Sequence, residues 1–196
     1  LDMTVEPTTK EDLAKLINNY QPEFIGFNLT NLTIDKGVIV ARQCKKINPN
    51  IIIGVGGAAA EIFPEATFKH NCFDLGLRGE ADHTFVQLLD YIKDNNHPKP
   101  EGLIYRKEDE IKFHGSPPMI KNLDELPFPA RHLYQGKYMH IAAKKEPFAS
   151  MMTSRGCPFN CGFCSKVPNW RRLRAMSAEK VVEEFKTLAS QGVKEV

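Results

Sequence analysis

Three cysteines within eight positions, Cys157, Cys161 and Cys164, are the residues best suited to chemistry. They lie in the segment Ser154-Arg155-Gly156-Cys157-Pro158-Phe159-Asn160-Cys161-Gly162-Phe163-Cys164-Ser165. Thiolates are the ligands of iron–sulfur clusters. Three of them on one loop can hold three irons of a cubane and leave the fourth iron open to a substrate or cofactor. Gly156 and Gly162 let the chain wrap tightly, and Pro158 stiffens it. Zinc is the competing metal, but it needs a fourth ligand, usually Cys or His, and the nearest histidine in sequence is His140. The other two cysteines read differently: Cys44 falls on the apolar face of a helical pattern and Cys72 beside a strand, as core residues do. An odd cysteine count with three packed together does not suit a disulfide framework, and it points to a reducing compartment.

The elements around these residues alternate. Thr8 and Glu11 have the spacing of a capping box, and Leu13, Leu16, Ile17 and Tyr20 give the following helix an apolar face. Phe24 to Phe27 is a short strand. Ile34, Val38, Ala41, Cys44 and Ile47 recur at helical spacing. Ile51 to Val55 is a continuous β-branched strand interrupted only by Gly54. A helix is expected from about Ala59 to His70, a strand over Phe73 to Leu77, and a helix from Glu80 to about Asn95 with Phe85, Leu88, Leu89 and Ile92 on one side. Strands alternating with helices in this way predict a parallel sheet covered on both faces. Ligands of such sheets bind at the carboxyl ends of the strands, so the loops Asn28 to Asn31, Gly54 to Ala58 and Arg78 to Asp82 should share one edge.

The pattern then changes. Leu103 to Arg106 and Ile111 to Phe113 flank a charged turn and read as a hairpin. Pro117, Pro118, Pro127, Pro129 and Pro147 mark a linker. After the cysteine loop, Ser177 can cap a helix with Val181, Val182, Phe185 and Leu188 inward, ended by Gly192. Val193 to Val196 begins another strand. Arg171, Arg172 and Arg174 form a basic run that is either a solvated face or a grip on a carboxylate or phosphate. His132 and His140 read as surface or hinge residues.

Bulk composition narrows the function classes. With 196 residues, 42% hydrophobic and 26% charged, the chain can bury a core. A net charge of +2 makes no case for nucleic acid or a membrane surface. No apolar run approaches the roughly 20 residues that span a bilayer. The chain begins at Leu1 rather than at methionine, and we expect further sequence upstream.

Cys157, Cys161 and Cys164, with Phe163 just before the last cysteine, resemble the signature of the radical S-adenosylmethionine (SAM) superfamily. The wider string Ser154 to Phe159, with Gly56-Gly57, Arg78-Gly79-Glu80 and Leu123-Asp124-Glu125-Leu126-Pro127-Phe128-Pro129-Ala130, resembles the subgroup that carries an N-terminal cobalamin (B12)-binding domain. The resemblance implies an α/β chain in three parts. Residues 1–96 would be a Rossmann-like (flavodoxin-like) cobalamin domain, 97–147 a hairpin and Pro-rich linker, and 148–196 the first βα unit of a partial (β/α) barrel.

The same resemblance implies three cofactors: a 4Fe-4S cluster on Cys157, Cys161 and Cys164, S-adenosyl-L-methionine with its adenine near Phe163, and cobalamin. Asn28, Leu29, Thr30, Gly56, Gly57, Gly79 and Glu80 would face the cobalamin. An Asp-x-His-x-x-Gly element that could supply a cobalt ligand is not found in this chain. The implied reaction makes a 5′-deoxyadenosyl radical, followed by methylation of an unactivated carbon, ring formation or rearrangement. The implied substrate is a small or lipid-like molecule, the implied partner a reductant such as flavodoxin or ferredoxin, and the implied compartment the cytoplasm. Two rivals remain open: a non-catalytic cobalamin carrier or sensor module, and a methylthiotransferase. The second would need a further cysteine set in the N-terminal domain, where only Cys44 and Cys72 are available.

Overall fold

The computed structural model describes residue 3 and residues 8–116, 119–133, 143–164 and 170–196. Pro117, Pro118, His140 and Ser165 lie outside the described residues. The chain divides into two units, one of residues 9–119 with 163–169, the other of 1–8, 120–162 and 170–196.

The first unit is a five-stranded sheet in the order β1-β2-β3-β4-β5, comprising Phe24–Asn28, Ile52–Gly56, Leu75–Leu77, Leu103–Lys107 and Glu110–His114. The first three strands are parallel and the last two form an antiparallel hairpin added at the β3 edge. Helices α1 (Lys10–Tyr20), α2 (Ile34–Ile47), α3 (Ala58–Ile62), α4 (Pro64–Phe68) and α5 (Ala81–Lys93) alternate with the strands. The capping box of α1 sits one residue later than expected. The Thr9 hydroxyl accepts the Asp12 N–H at 3.1 Å, and Asp12 accepts from the Thr9 backbone at 3.3 Å. Adjacent threonines offer the same spacing, and aspartate closes the box here. The single helix expected over 59–70 is divided into α3 and α4, because Pro64 has no N–H to continue the ladder.

Period two assigns the sheet faces. Ile53 and Val55 face α1 to α4, in a core with Leu13, Ile17, Val38, Ala41, Cys44, Ala60 and Phe68. Burying a Leu or Phe side chain of this kind contributes roughly 1.5–3 kcal/mol. Gly76 makes room for Phe68, whose ring lies 2.8 Å from where a Cβ at 76 would be. The opposite face carries a smaller core, Leu77, Leu88 and Leu103 with Phe24, Leu75 and Tyr105, under α5. Of the apolar residues expected inward on α5, only Leu88 is fully buried, and Phe85 and Leu89 remain exposed.

In the second unit, β6 (Ser154–Arg155) and β7 (Arg174–Ala175) form a two-stranded antiparallel ladder. α6 (Ala178–Ser190) is capped by Ser177, which accepts the Lys180 N–H at 3.1 Å, and Gly192 follows it at φ +83°. Phe148 and Glu195 make a parallel bridge on either side of α6, the start of a βαβ arrangement.

The stretch 97–147, read from sequence as hairpin and linker, is shared between the units. Its hairpin is hydrogen-bonded into the sheet, and 120–133 packs in the second unit as a strap along α6. Asp124 accepts the Ser177 N–H at 2.9 Å, the Lys180 ammonium lies 4.1 Å from the centre of the Phe128 ring, and Arg131 pairs with Glu184 at 2.8 Å. Positions 177, 180, 184 and 188 share one helix face, so the buried residues of α6 are Glu184 and Leu188, while Val182 and Phe185, expected inward, are exposed. The strap presents a charge at Arg131, and that selects a carboxylate for the inner face.

Candidate functional site

The first candidate site is a trough above the three parallel strands. Gly26 and Gly54 are direct register partners, as are Asn28 and Gly56. Period two therefore puts Gly26, Gly54 and Gly56 on one face, and the missing side chains leave a cavity of about 360 Å³. Phe24, Leu77, Ala81, Phe85 and Leu88 wall it. The Phe24 ring lies over the glycine floor, with ring atoms 3.2 Å from a Cβ placed at Gly26 and 2.4 Å from one placed at Gly54. Its centroid is 5.9 Å from that of Phe85.

At the carboxyl edge Asn28, Leu29, Gly56 and Gly57 meet; of the expected residues Asn28, Gly56 and Gly57 line the cavity, whereas Leu29, Thr30, Gly79 and Glu80 are not among its walls. The Leu29 N–H donates to the Gly56 carbonyl and the Ala59 N–H to the Leu29 carbonyl, both at 3.0 Å. Leu29 is buried; Thr30 and Thr33 close the turn, with the Thr30 N–H donating to the Thr33 hydroxyl at 2.9 Å. Gly56 and Gly57 differ sharply. A Cβ at Gly56 would enter open space, its nearest neighbour the Leu77 carbonyl at 3.8 Å. Gly57 has φ +82°, and a Cβ there would fall 2.2 Å from Asn28 Oδ1 and 2.7 Å from the Leu29 carbonyl. Both glycines line the cavity, but Gly57 is demanded by the turn whereas Gly56 is not.

Gly79, at φ +78°, donates its N–H to Glu61 Oε2 at 2.5 Å, and Glu80 sits at the N-cap of α5. The buried Glu61 carboxylate also lies 3.9 Å from Arg78 Nε, so one side chain ties the 78–80 turn to α3. Sequence reasoning missed Glu61, because a lone glutamate in a short helix carries no pattern. It also missed the glycine floor, although Gly26, Gly54 and Gly56 at period two were a readable signal.

The second candidate site is the cysteine loop. Its two ends are tied by the β6–β7 ladder, by the Met176 N–H donating to the Thr153 carbonyl at 2.9 Å, and by the Cys157 N–H donating to the Trp170 carbonyl at 2.8 Å. Gly156 has φ +89°, and the Arg172 carbonyl oxygen sits 2.1 Å from where its Cβ would be. Cys157, Cys161 and Cys164 are all exposed, and Phe163 is 94% exposed. Among the described residues, no three Cys, His, Asp or Glu side chains stand close enough to hold a metal ion. The donor set still has the chemistry of a cluster site: three accessible thiols on a loop with a fixed root. Cys44 and Cys72 are buried, and burial pushes both thiols above their ordinary range, the condition of inert core cysteines.

The basic run divides. Arg171 and Arg172 are exposed, whereas Arg174 is buried and donates to the Ile120 carbonyl at 2.5 Å. His132 is exposed, as expected of a surface residue. No helix of the described residues is long and apolar enough to cross a membrane.

Residues 1–89 match the model of the B12-binding domain family. A protein named as an uncharacterized methyltransferase of Pyrococcus horikoshii is 35% identical over 201 residues, covering 100% of this chain and 43% of that protein. The hopanoid C-3 methylase of Methylococcus capsulatus is 28% identical over 199 residues, covering 98% of this chain and 37% of that protein. The chain therefore spans about two fifths of the length of these relatives. Among solved structures, the cobalamin-dependent SAM radical enzyme OxsB, with aqua-cobalamin and SAM bound, superposes with a TM-score of 0.76 at 22% identity, over 98% of this chain and 26% of that one. This last is a likeness of fold.

Proposed function

Because residues 1–89 match the B12-binding domain family, methyltransferases are among the relatives, and the cysteine string resembles the radical SAM signature, we propose that the whole protein is a cobalamin-dependent radical SAM enzyme that modifies an unactivated carbon of a small or lipid-like substrate, methyl transfer being the reaction. The single observation that carries this reading is the pairing, in one chain, of a glycine-floored trough with three exposed thiols on a clamped loop.

Both groups fit the residues present. For cobalamin, the trough is open where Gly56 lacks a side chain, since a Cβ there would stand in the opening, while Gly26 and Gly54 make room for the Phe24 ring that walls it. The slot, with Phe24 and Phe85 in contact on its wall, would take part of the cofactor's nucleotide tail, and the edge formed by Asn28 to Thr30, Gly56 and Gly79-Glu80 would face the corrin. Bound there, cobalamin supplies a carrier for a methyl group. For the cluster, Cys157, Cys161 and Cys164 would provide three thiolates. A cluster held there would supply the one-electron reduction on which cleavage of SAM depends. The protein positions both groups and excludes water. Phe163, beside the last thiolate, offers an apolar face to the adenine. Buried Glu61 holds the Arg78–Gly79 turn at the rim. The electron comes from a small reductant protein such as flavodoxin or ferredoxin, and the compartment is the reducing cytoplasm.

The test is product analysis on full-length protein loaded anaerobically with both cofactors and given SAM labelled in its methyl group. Release of 5′-deoxyadenosine under reducing conditions is the expected result. Intact SAM after prolonged reduction of a protein that holds both cofactors would overturn the proposal.

A further inference from the structure

Arg174 stands in a run of basic residues whose simplest reading is a solvated face, yet its side chain is 7% exposed. A buried guanidinium must find acceptors, because an unpaired buried charge is costly. Two are supplied by backbone. Arg174 Nη1 donates to the Ile120 carbonyl at 2.5 Å, and Nε to the Arg172 carbonyl at 3.4 Å. The first joins β7 to the strap, where Ile120, Leu123 and Leu126 pack with Met176. The second reaches the cysteine loop. The Arg172 carbonyl oxygen is the atom that occupies the Cβ position of Gly156, and Gly156 immediately precedes Cys157. The Arg174 backbone also pairs with Arg155 in the β6–β7 ladder.

We infer that Arg174 is a positioning residue for the first cluster ligand: its buried guanidinium fixes the Arg172 carbonyl against Gly156 and so sets where Cys157 leaves the ladder. This rests on the cluster reading above. Lysine would not substitute well, since a single ammonium lacks the planar fork that serves two acceptors at once. Groups that orient metal ligands from behind typically change metal retention by about 10–100-fold when removed.

The experiment uses full-length protein, reconstituted anaerobically with iron and sulfide, as wild type and as Arg174→Met, Arg174→Lys, Arg171→Ala and Arg172→Ala. Three quantities are read on each: the rate of iron loss to a chelator, the low-temperature EPR spectrum of the reduced cluster, and the unfolding temperature. Arg174→Met is expected to lose iron on the order of tenfold faster and to show an altered EPR line shape, with Arg174→Lys intermediate. Arg171→Ala and Arg172→Ala, which keep their backbone carbonyls, should match wild type. If Arg174→Met does not fold, Arg174→Lys carries the same criteria. A lowered unfolding temperature with wild-type iron retention and an unchanged EPR spectrum would overturn the inference, leaving Arg174 a purely structural residue. Equal iron loss from the Arg171 and Arg172 variants would also overturn it, since the effect would then be one of general charge. Failure of wild type to take up iron would defeat the cluster reading itself, and the inference with it.

Discussion

In the sheet unit the candidate site is made by what is missing. Gly26, Gly54 and Gly56 leave a trough, and the backbone around it is held by buried groups such as Glu61 and Leu29. At the cysteine loop the candidate site is made by what protrudes: three exposed thiols, with the β6–β7 ladder tying the root of the loop. The difference follows from the ligands each would take. A large preformed cofactor needs a shaped vacancy, which only rigid neighbours can maintain. A cluster makes strong bonds to its own thiolates and needs them delivered in the right order. Damage should therefore act differently in the two places, through shape in one and through ligand count in the other.

The largest contrast is expected at the thiols. Alanine in place of Cys157, Cys161 or Cys164 should abolish the broad visible absorption of the reconstituted cluster while leaving cobalamin binding in place. Cys44→Ala and Cys72→Ala should retain the absorption, because those thiols are buried and inert. Loss of the chromophore in the Cys44 or Cys72 variant would break the distinction.

The trough is probed by two adjacent glycines. Gly56→Val would place its side chain in open space, so the protein should unfold near the wild-type temperature yet bind hydroxocobalamin far more weakly. Gly57→Val would force a β-branched residue to φ +82° against Asn28 and Leu29, with a stability loss of about 1 kcal/mol or more. Titration and thermal unfolding on both variants separate the roles. Equal cobalamin affinity in wild type and Gly56→Val would move the site elsewhere.

Stability of the cysteine unit should depend on the strap. Glu184 is 2% exposed and paired with Arg131, which also donates to the Ser150 carbonyl at 2.7 Å. Removing only the arginine strands a buried carboxylate, at a cost of about 3–5 kcal/mol. Arg131→Met with Glu184→Leu should recover much of that loss, and denaturant unfolding of the single and double variants measures it.

A smaller effect is expected at Asp124. Its hydrogen bond from the Ser177 backbone, reinforced by the Ser177 side chain, holds its carboxyl below the ordinary value of 3.8. A depressed folded-state value means that the contribution is complete above the ordinary carboxylate range. It is lost as pH falls through the lower, folded value. Unfolding temperatures of wild type and Asp124→Asn should therefore differ at neutral pH and converge in acid.

Much of this was legible in the sequence, for identifiable reasons. The alternating apolar runs gave the parallel strands and their shared edge, since doubly buried strands leave a strong signal. The thiol spacing was plain because it is local. The strap was hidden: prolines in 117–129 read as linker, and nothing local couples Asp124 to Ser177 or Arg131 to Glu184 across 53 residues. The inner face of α6 was misjudged for the same reason, because a buried glutamate is intelligible only with its distant arginine. Arg174 was masked by its exposed neighbours, and composition does not reveal which member of a basic run turns inward.

Metal analysis of full-length protein, reconstituted anaerobically with iron, sulfide and hydroxocobalamin and then desalted, bears most directly on the pairing of the two sites. Close to equimolar cobalt and about four irons per chain are expected, with cobalt lost selectively in Gly56→Val and iron selectively in Cys161→Ala. Stoichiometric zinc with neither cobalt nor iron retained would contradict it.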